Sequence, residues 1–191
     1  MLFRSLGVAI NAEHTVTFIG NKRGLFTGAA PAFTGAVHYR DLQVPADIYQ
    51  VRQATCRKLD LTALYSLLPA RSALTHKGQC GHVLAVGGDH GTAGAIAMAC
   101  AAAARVGSGL ISAATRPAHV SAIVGSMPEV MVHGVSNKQE LEQLLPRASV
   151  LAVGPGLGQG SWAEQLMQTV DAAEGPRVLD ADALKIGRAH V

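Results

Sequence analysis

The sequence has few aromatic residues and no cysteine or histidine spacing that is typical of a metal site. Aromatic residues make up 4% of the 191 residues, so the core must rely on small and aliphatic side chains. The three cysteines show no CxxC spacing, and the eight histidines show no HxxxH spacing. These absences argue against a disulfide framework and a zinc site, and they favour reduced thiols in the cytoplasm.

Long apolar runs and dense basic runs are also missing. No uninterrupted apolar stretch reaches 18 residues, and the opening MLFRSLGVAI lacks the layout of a signal peptide. The formal net charge is +3, but the lysines and arginines are scattered and are not interleaved with aromatic residues. The sequence therefore argues against membrane binding and against nucleic-acid binding.

From residue 82 onward the sequence alternates between short apolar strands and helices. Hydrophobic residues make up 49% of the chain, which is enough for a sizeable core. The predicted strands cover 82–88, 109–115, 129–134, 149–158 and 176–184, and the predicted helices cover 92–105, 117–127, 138–145 and 161–174. These strands are apolar throughout rather than alternating, which indicates burial on both faces. We predict an α/β fold with a mostly parallel sheet and helices on both of its faces.

The first part of the chain has a different pattern. HTVTFIG at 14–20 and GAVHYR at 35–40 predict two strands. Residues 41–58 have mixed charge and are typical of a linker. LDLTALYSLL at 59–68 has leucines at helical spacing and predicts a short helix that stops at Pro69.

Two glycine-rich turns follow predicted strands. GGDHGTAGA at 87–95 precedes an alanine-rich helix, and GPGLG at 154–158 follows the fourth strand of the larger pattern. Glycines let backbone N–H groups face an anion, and a helix N-terminus adds partial positive charge. The first turn has neither GxGxxG nor P-loop spacing, and tight packing is a serious alternative for each turn alone. Because parallel strands end at one edge of a sheet, the pair of turns favours a ligand site there.

Two acidic residues stand at the end of the last predicted strand. The sequence DADAL puts Asp180 and Asp182 two positions apart, which in a strand places both on the same face. They could help to hold Mg²⁺ or a polar group. Alternatively, one could cap the next helix while the other bonds a loop, and the sequence leaves both interpretations open.

Taken together, four motifs resemble the dehydratase domain of the NAD(P)H-hydrate repair enzymes. They are THKGQCGHVLAVGGDHGTAGAIAMACAAAARVGSGLISAAT, PEVMVH, VGPGLGQ and VLDADAL, in the order that the family shows. The N-terminal residues resemble the last strands of the NAD(P)H-hydrate epimerase domain, which precedes the dehydratase in bifunctional bacterial members. The resemblance divides the chain into an epimerase segment at 1–42, a linker at 43–74 and a dehydratase segment at 75–184. It implies a ribokinase-like fold, preceded by a short β segment of a Rossmann-like epimerase domain.

The resemblance implies a function in nicotinamide nucleotide repair. The dehydratase uses ADP (or ATP) with Mg²⁺ to phosphorylate the ring hydroxyl of (S)-NAD(P)H-hydrate, and elimination then restores NAD(P)H. The epimerase interconverts the R and S hydrates and binds K⁺. The full-length protein is expected to be a homo-oligomer that acts on this small molecule.

By motif position, the residues that would contact the hydrate are Gly94, Ala95, Gly156 and Gly158. Asp180 and Asp182 match the family's DADAL segment and would have a supporting polar role. The resemblance assigns no metal ligand within this chain.

The family continues beyond the motifs that are found here. Its later GTGD turn, with the acid–base aspartate and much of the nucleotide site, would lie beyond Val191, and the epimerase's catalytic segment would lie before the first residue. No catalytic residue is therefore assigned, and we expect this chain alone to be inactive in both reactions. LFRS at 2–5 and KIGRAHV at 185–191 resemble translated adapter DNA, so we expect residues 185–191 to be a non-native tail.

Two other functions fit part of the pattern. A ribokinase-like kinase for a vitamin precursor would have the same fold and similar glycine turns. A non-catalytic nucleotide-binding module would also lack a catalytic turn. The combination of GGDHGTAGA with GPGLG, and the epimerase-like segment before them, favours the dehydratase.

Overall fold

The computed structural model describes residues 9–52, 54–65, 67 and 70–186. The chain forms two compact units, unit 1 from Met1 to Ala70 and unit 2 from Arg71 to Val191. Of the predicted non-native tail, residues 187–191 lie outside the described residues, as does LFRS at 2–5.

The described residues of unit 1 form two parallel strands and three short α-helices. In chain order they are β1 (His14–Phe18), α1 (Pro31–Thr34), β2 (Ala36–Arg40), α2 (Asp47–Val51) and α3 (Leu61–Tyr65). The two predicted strands therefore form, and they pair in parallel with His14 opposite Ala36 and Phe18 opposite Arg40. A parallel pair needs a crossover connection rather than a tight hairpin, and α1 lies in that connection.

The region predicted as a linker contains a helix that the sequence analysis missed. Helix α2 begins just after Pro45, a residue that is compatible with the start of a helix although it breaks a helix interior. The helix predicted at 59–68 is observed only at α3, and residues 66, 68 and 69 lie outside the described residues.

Unit 2 alternates between strands and helices, as predicted. Its elements are β3 (His82–Val86), α4 (Ala93–Arg105), β4 (Leu110–Thr115), α5 (Val120–Ser126), β5 (Met131–Gly134), α6 (Lys138–Glu142), β6 (Val150–Val153), α7 (Ser161–Ala172), β7 (Arg177–Leu179) and α8 (Ala183–Ile186). Short 3₁₀ turns at Lys77–Cys80, Pro117–His119 and Leu145–Arg147 join some of them.

The five strands of unit 2 form one parallel sheet. Their order is β5-β4-β3-β6-β7, and every neighbouring pair is parallel. The chain therefore starts in the centre of the sheet at β3, moves to one edge, and then crosses to the other side with β6. This reversal of direction lies between β3 and β6, and such switch points form a crevice at the carboxyl ends of the strands.

Both faces of this sheet are covered by helices, which confirms the predicted arrangement. On one face, Leu84 and Val86 belong to a buried cluster with Trp162 and Leu166 of α7. On the other face, Ala85 packs in a second cluster with residues of α4 and α5 such as Ile96 and Ile123. Successive residues of β3 thus point into different cores, which is why the strand has no polar side.

The alanine-rich helix α4 lies close to the sheet because both surfaces carry small side chains. Ala85 and Ala113 face it from β3 and β4, and both are buried. Cys100 of α4 is fully buried in the same cluster, and this burial raises the pKa of its thiol to about 11. The other two cysteines, Cys56 and Cys80, are also free thiols in this structure.

Two elements are shorter than predicted. Helix α6 ends at Glu142 rather than at residue 145, because Pro146 lies in the 3₁₀ turn that follows it. The last strand, β7, ends at Leu179, so Asp180 and Asp182 are not part of a strand. Ala181 between them has a φ of 45°, a left-handed conformation that ends the alternation of side chains.

Candidate functional site

Five connecting segments converge at one edge of the sheet in unit 2. Because all five strands are parallel, their carboxyl ends point the same way. The residues that follow the strands are Gly87 after β3, Arg116 after β4, Val135 after β5, Gly154 after β6 and Asp180 after β7. Open parallel sheets bind their ligands at this edge, so it is the candidate site.

The two glycine-rich turns are in direct contact there. The Gly88 N–H donates a hydrogen bond to the Pro155 carbonyl at 2.9 Å, and the Asp89 N–H donates to the Gly156 carbonyl at 2.6 Å. The Thr92 hydroxyl adds a bond to the same Gly156 carbonyl at 2.7 Å. Residues 87–92 and 154–156 therefore form a single bonded structure rather than two separate loops.

Several of these glycines are required by packing within the protein. A Cβ on Gly87 would lie 2.2 Å from the Pro155 carbonyl oxygen, and one on Gly154 would lie 1.8 Å from the Asp180 carbonyl oxygen. A Cβ on Gly156 would lie 2.8 Å from the Thr92 Cβ, and one on Gly158 would lie 2.9 Å from a carboxylate oxygen of Asp89. All of these distances are shorter than a Cβ tolerates. The space that these glycines leave open is filled by protein.

Two glycines of the first turn face open space instead. Gly91, with a φ of 81°, and Gly94, in the first turn of α4, have nothing within 4 Å of the Cβ position. Both residues are exposed, and the neighbouring Ala95 is partly buried. The N–H groups of Ala93 and Gly94 have no acceptor among the described residues. The start of α4 is thus the part of the edge that a ligand could approach.

The two acidic residues of DADAL have different environments. The Asp182 carboxylate accepts a bond from the Gly158 N–H at 3.0 Å and one from Lys185 Nζ at 3.0 Å. These two contacts lower the pKa of Asp182 below its ordinary value, although burial acts in the opposite direction. Asp180 contributes its backbone, since its N–H donates to Val153 and its side chain is exposed. Because Asp182 occupies the Gly158 N–H, that group is not available to a ligand in this arrangement.

An ion pair that the sequence analysis missed lies beside the turns. Arg116 Nε donates to Asp89 Oδ1 at 2.7 Å, and the side chains are only 21% and 23% exposed. The Arg116 guanidinium also lies 4.2 Å from the centre of the Trp162 ring. Trp162 is buried at 4% exposure, and its indole N–H donates to the Val135 carbonyl at 2.9 Å. The Arg116 side chain is therefore held from two sides.

Arg116 lowers the pKa of its partner, Asp89. Burial alone would raise the pKa of Asp89, but the hydrogen bond from Arg116, the backbone N–H of His90 and the positive charge of Arg116 together lower it. Asp89 is consequently ionised at neutral pH and matches the guanidinium charge. An ion pair of this kind has no net charge, so it can be partly buried without leaving an unpaired charge.

Two histidines and a threonine complete this side of the edge. The Thr115 hydroxyl donates to the Gly88 carbonyl at 2.8 Å, and His119 Nδ1 lies 3.1 Å from the same oxygen. Because a carbonyl only accepts, His119 Nδ1 carries the proton. The ring of His90 lies edge-on to that of His119, with 6.2 Å between the ring centres. These contacts fix the first glycine turn against the end of β4.

The sequence signal for Arg116 was its position directly after a predicted strand. Asp89 is 27 positions away from Arg116, and Trp162 lies on a helix that follows β6. No local motif joins the three residues. Only the parallel topology brings them together, so a systematic look at the polar residues after each predicted strand could have found Arg116 and Asp89.

A large concave region lies elsewhere, in unit 1. A cavity of about 1100 Å³ is lined in part by the basic residues Lys22, Arg23, Arg52, Arg57 and Lys58. None of the described residues that line it is acidic. Size alone does not identify a functional site, and the convergence of glycine turns, an ion pair and open helix N–H groups favours the edge of unit 2.

Within the described part of the chain, no group of three or more His, Cys, Asp or Glu side chains is arranged to hold a metal ion. No helix there is both long enough and apolar enough to cross a membrane.

The chain matches the protein family that is described as NAD(P)H-hydrate dehydratase over residues 83–190. This match begins at the second residue of β3 and covers the other four strands of unit 2 and both glycine turns. Four motifs of the sequence resembled the same family.

Curated relatives extend the similarity to almost the whole chain. A bifunctional NAD(P)H-hydrate repair enzyme from Coxiella burnetii is 44% identical over 180 residues, which is 94% of this chain and 37% of the relative. An ADP-dependent (S)-NAD(P)H-hydrate dehydratase from Streptococcus pneumoniae is 36% identical over 114 residues, or 60% of this chain and 39% of that protein. The chain therefore spans little more than a third of the length of these relatives.

Solved structures agree with these similarities. A hypothetical protein from Streptococcus mutans has a TM-score of 0.60 at 30% identity, covering 67% of this chain and 48% of its own. A ribokinase-like superfamily protein from Enterococcus faecalis has a TM-score of 0.56 at 28% identity, with coverage of 61% and 42%. An ADP/ATP-dependent NAD(P)H-hydrate dehydratase from Bacillus subtilis, co-crystallised with ATP/Mg²⁺, has a TM-score of 0.52 at 30% identity, with coverage of 61% and 43%. The fold of unit 2 is thus ribokinase-like.

Proposed function

The chain belongs to the NAD(P)H-hydrate dehydratase family, and we propose that the glycine-rich edge of unit 2 binds (S)-NAD(P)H-hydrate for an ADP-dependent dehydration. The observation that carries this proposal is the hydrogen-bonded contact between the two turns, with open space beside it at Gly94. A Cβ placed on Gly94 would have no neighbouring atom within 4 Å. The two hydrogen-bonded turns, with the exposed N-terminus of α4 beside them, suit a flat, phosphate-bearing ligand.

The chemistry of the proposed reaction requires a better leaving group. The hydrate carries a hydroxyl where the reduced nicotinamide ring has a double bond, and hydroxide leaves poorly. A nucleotide, when bound, supplies the phosphoryl group that the ring hydroxyl takes up. The C–O bond then breaks with loss of a ring proton, and the double bond forms as inorganic phosphate leaves. The protein's contribution to such a step is positioning and the exclusion of water.

The residues of this chain would position the hydrate. Gly94 and the small Ala95 allow the ring to approach the backbone of α4, and the open N–H groups of Ala93 and Gly94 face a polar group of the ligand. Gly156 and Gly158 are only partly buried, but protein atoms lie within 3 Å of their Cβ positions, so they would contact the hydrate through exposed backbone atoms alone. Asp182 supports this surface indirectly, since it holds the Gly158 N–H.

We propose ADP or ATP as the phosphoryl donor, by analogy with the Bacillus subtilis relative and its ATP/Mg²⁺ complex. The described residues contain no carboxylate cluster that fits a metal ion. We therefore derive no step through Mg²⁺ from this chain.

The longer protein to which the similarities point is proposed to be a bifunctional, cytoplasmic repair enzyme. Relatives that match 94% of the chain carry that bifunctional name. Unit 1, with its two parallel strands, would then be part of the epimerase half, which converts the R hydrate to the S form.

Calorimetric titration of the 191-residue chain tests the binding step. We expect (S)-NADPH-hydrate to bind, and we expect Gly94→Val to weaken binding about tenfold or more, which corresponds to about 1.4 kcal/mol. Gly125→Val is the matched control, because Gly125 also lies in a helix of unit 2 with nothing within 4 Å of its Cβ position.

Three outcomes would count against the proposal. They are no binding of the hydrate by folded protein, equal binding by the Gly94→Val and wild-type chains, and preferential binding of a vitamin precursor such as hydroxyethylthiazole. The last result would favour the kinase interpretation.

A further inference from the structure

Arg116 has hydrogen-bonding capacity that the protein does not use. A guanidinium carries five N–H donors, and the Nε–H of Arg116 is taken by Asp89 at 2.7 Å. Neither Nη atom has a hydrogen-bond partner among the described residues. The side chain is only 21% exposed, so water satisfies these donors less fully than at a free surface. Such a group is ready to take an acceptor from a ligand.

The position of Arg116 is fixed before any ligand arrives. The centre of the Trp162 ring lies 4.2 Å from the guanidinium carbon. Trp162 is itself held by the hydrogen bond that its indole N–H donates to the Val135 carbonyl. Asp89 is held by the bond from its backbone N–H to Gly156. A guanidinium that is stacked and paired loses little further freedom on binding.

Arg116 is also next to the proposed ligand position. Its partner Asp89 belongs to the first glycine turn and lies against Gly158 of the second. The side chain thus extends from the end of β4 towards both turns. The planar fork of a guanidinium matches the oxygens of a phosphate, which it binds bidentately.

We propose that Arg116 is the phosphate-binding residue of this edge and contacts a phosphate group of the bound ligand through its Nη atoms. Asp89 keeps the Nε–H and thereby holds the fork in place, so it is a positioning residue. The phosphate can belong to the dinucleotide hydrate or to the phosphoryl donor. The proposal rests on the proposed function for the identity of these ligands but not for the existence of the anion site.

The single tryptophan of the chain makes the test direct. Trp162 is the one tryptophan among the 191 residues, and it stacks on Arg116, so its fluorescence reports on the environment of the guanidinium. The chain is titrated with sodium pyrophosphate by fluorescence, and with ADP and NADPH by calorimetry. The variants are Arg116→Gln, Arg116→Lys and the control Arg105→Gln, which removes an exposed arginine at the end of α4.

We expect Arg116→Gln to weaken pyrophosphate binding about 10- to 100-fold, as for loss of charge-assisted hydrogen bonds. Arg116→Lys keeps the positive charge but loses the planar guanidinium, so its affinity for pyrophosphate should lie between those of Arg116→Gln and the wild-type chain. Arg105→Gln should bind like the wild-type chain. A loss of affinity for NADPH alone assigns the phosphate to the dinucleotide, and a loss for ADP alone assigns it to the donor.

A second variant covers the case in which Arg116→Gln does not fold because Asp89 is left unpaired. Asp89→Asn/Arg116→Gln removes both charges, and its fold is checked by near-ultraviolet circular dichroism. The proposal is overturned if this folded variant, or folded Arg116→Gln, binds pyrophosphate as well as the wild-type chain does. It is also overturned if the wild-type chain binds none of the three probes. If pyrophosphate binding depends on Arg116 but no hydrate binds, the proposed function fails and the anion site stands.

Discussion

Gly154 and Gly94 belong to the two glycine-rich turns, but their missing side chains have different consequences. At Gly154, with a φ of 123°, a Cβ would overlap the Asp180 carbonyl oxygen at 1.8 Å. At Gly94 a Cβ would meet nothing within 4 Å, and the backbone is helical. The first glycine is required by the fold, whereas the second is not. A glycine that the fold does not require, at the edge that we propose as the binding site, is the better candidate for ligand contact.

The same comparison divides the other glycines of the site. Gly87 and Gly156 belong with Gly154, since protein atoms lie within 3 Å of their Cβ positions. Gly91 belongs with Gly94 in facing open space, although its φ of 81° also favours glycine. These glycine-rich turns therefore combine glycines that are packed against other parts of the chain with glycines that face open space, and sequence alone does not separate the two.

The largest effect is expected for Gly154→Ala. Its φ is one that side-chain-bearing residues rarely adopt, and its Cβ would overlap backbone that cannot easily move. We expect a loss of about 4 kcal/mol or more in the free energy of unfolding. Urea unfolding, monitored through the fluorescence of Trp162, measures this loss of stability. An unfolding midpoint close to that of the wild-type chain would break the distinction between the two classes of glycine.

A smaller loss is expected for Gly156→Ala. The left-handed φ of 63° costs a side-chain-bearing residue about 1–2 kcal/mol. Contact with the Thr92 side chain raises the total to about 2–3 kcal/mol. Thr92→Gly removes the Cβ and Oγ1 that would lie 2.8 and 2.9 Å from the added Cβ, so the double variant should lose less than the sum of the two single variants. Strict additivity in this double-mutant cycle would show that Thr92 is not the obstacle.

An effect of about 1 kcal/mol is expected from acid through Asp89. Since folding lowers its pKa, the carboxylate stabilises unit 2 fully above its unfolded value near 3.8, and this contribution is lost as the pH falls through the lower folded value. Asp89→Asn should therefore reduce the drop in urea midpoint between neutral pH and about pH 3. Asp171→Asn, which removes a carboxylate that is 60% exposed, is the matched control. An equal reduction in both variants would contradict the assignment to Asp89.

The smallest effect on stability, and one of opposite sign, is expected for Gly94→Ala. Replacing a helical glycine in open space with alanine should raise the free energy of unfolding by about 0.5–1 kcal/mol. Gly125→Ala in α5 should give a similar gain and serves as the control. If Gly94→Ala instead destabilises the protein, the residue is required by the fold and the comparison fails.

The fold of unit 2 could be predicted from sequence because its strands carry the signal locally. HVLAV and LISAAT are apolar at nearly every position, which requires burial on both faces and hence helices on both sides. The glycine turns after β3 and β6 could also be predicted, because each directly follows such an apolar strand. Helix α2 was missed because Pro45 and mixed charges suggested a linker, although proline is also compatible with the start of a helix.

The polar part of the site could not be predicted in this way. Arg116, Asp89 and Trp162 come from three different connections, and only the order of the strands brings them within contact. The environment of Asp182 was hidden for a related reason. Its partners, the Gly158 N–H and Lys185 Nζ, depend on where β7 ends and on the left-handed Ala181, neither of which has a reliable local signal.

The bonds between the two glycine turns also limit how the molecule can move. With Gly88 and Asp89 tied to Pro155 and Gly156 through their backbones, neither turn can swing outward without breaking both bonds. These two bonds therefore oppose a hinge movement of one turn away from the other. A ligand bound at the proposed site would therefore meet two turns that are already joined to each other before it arrives.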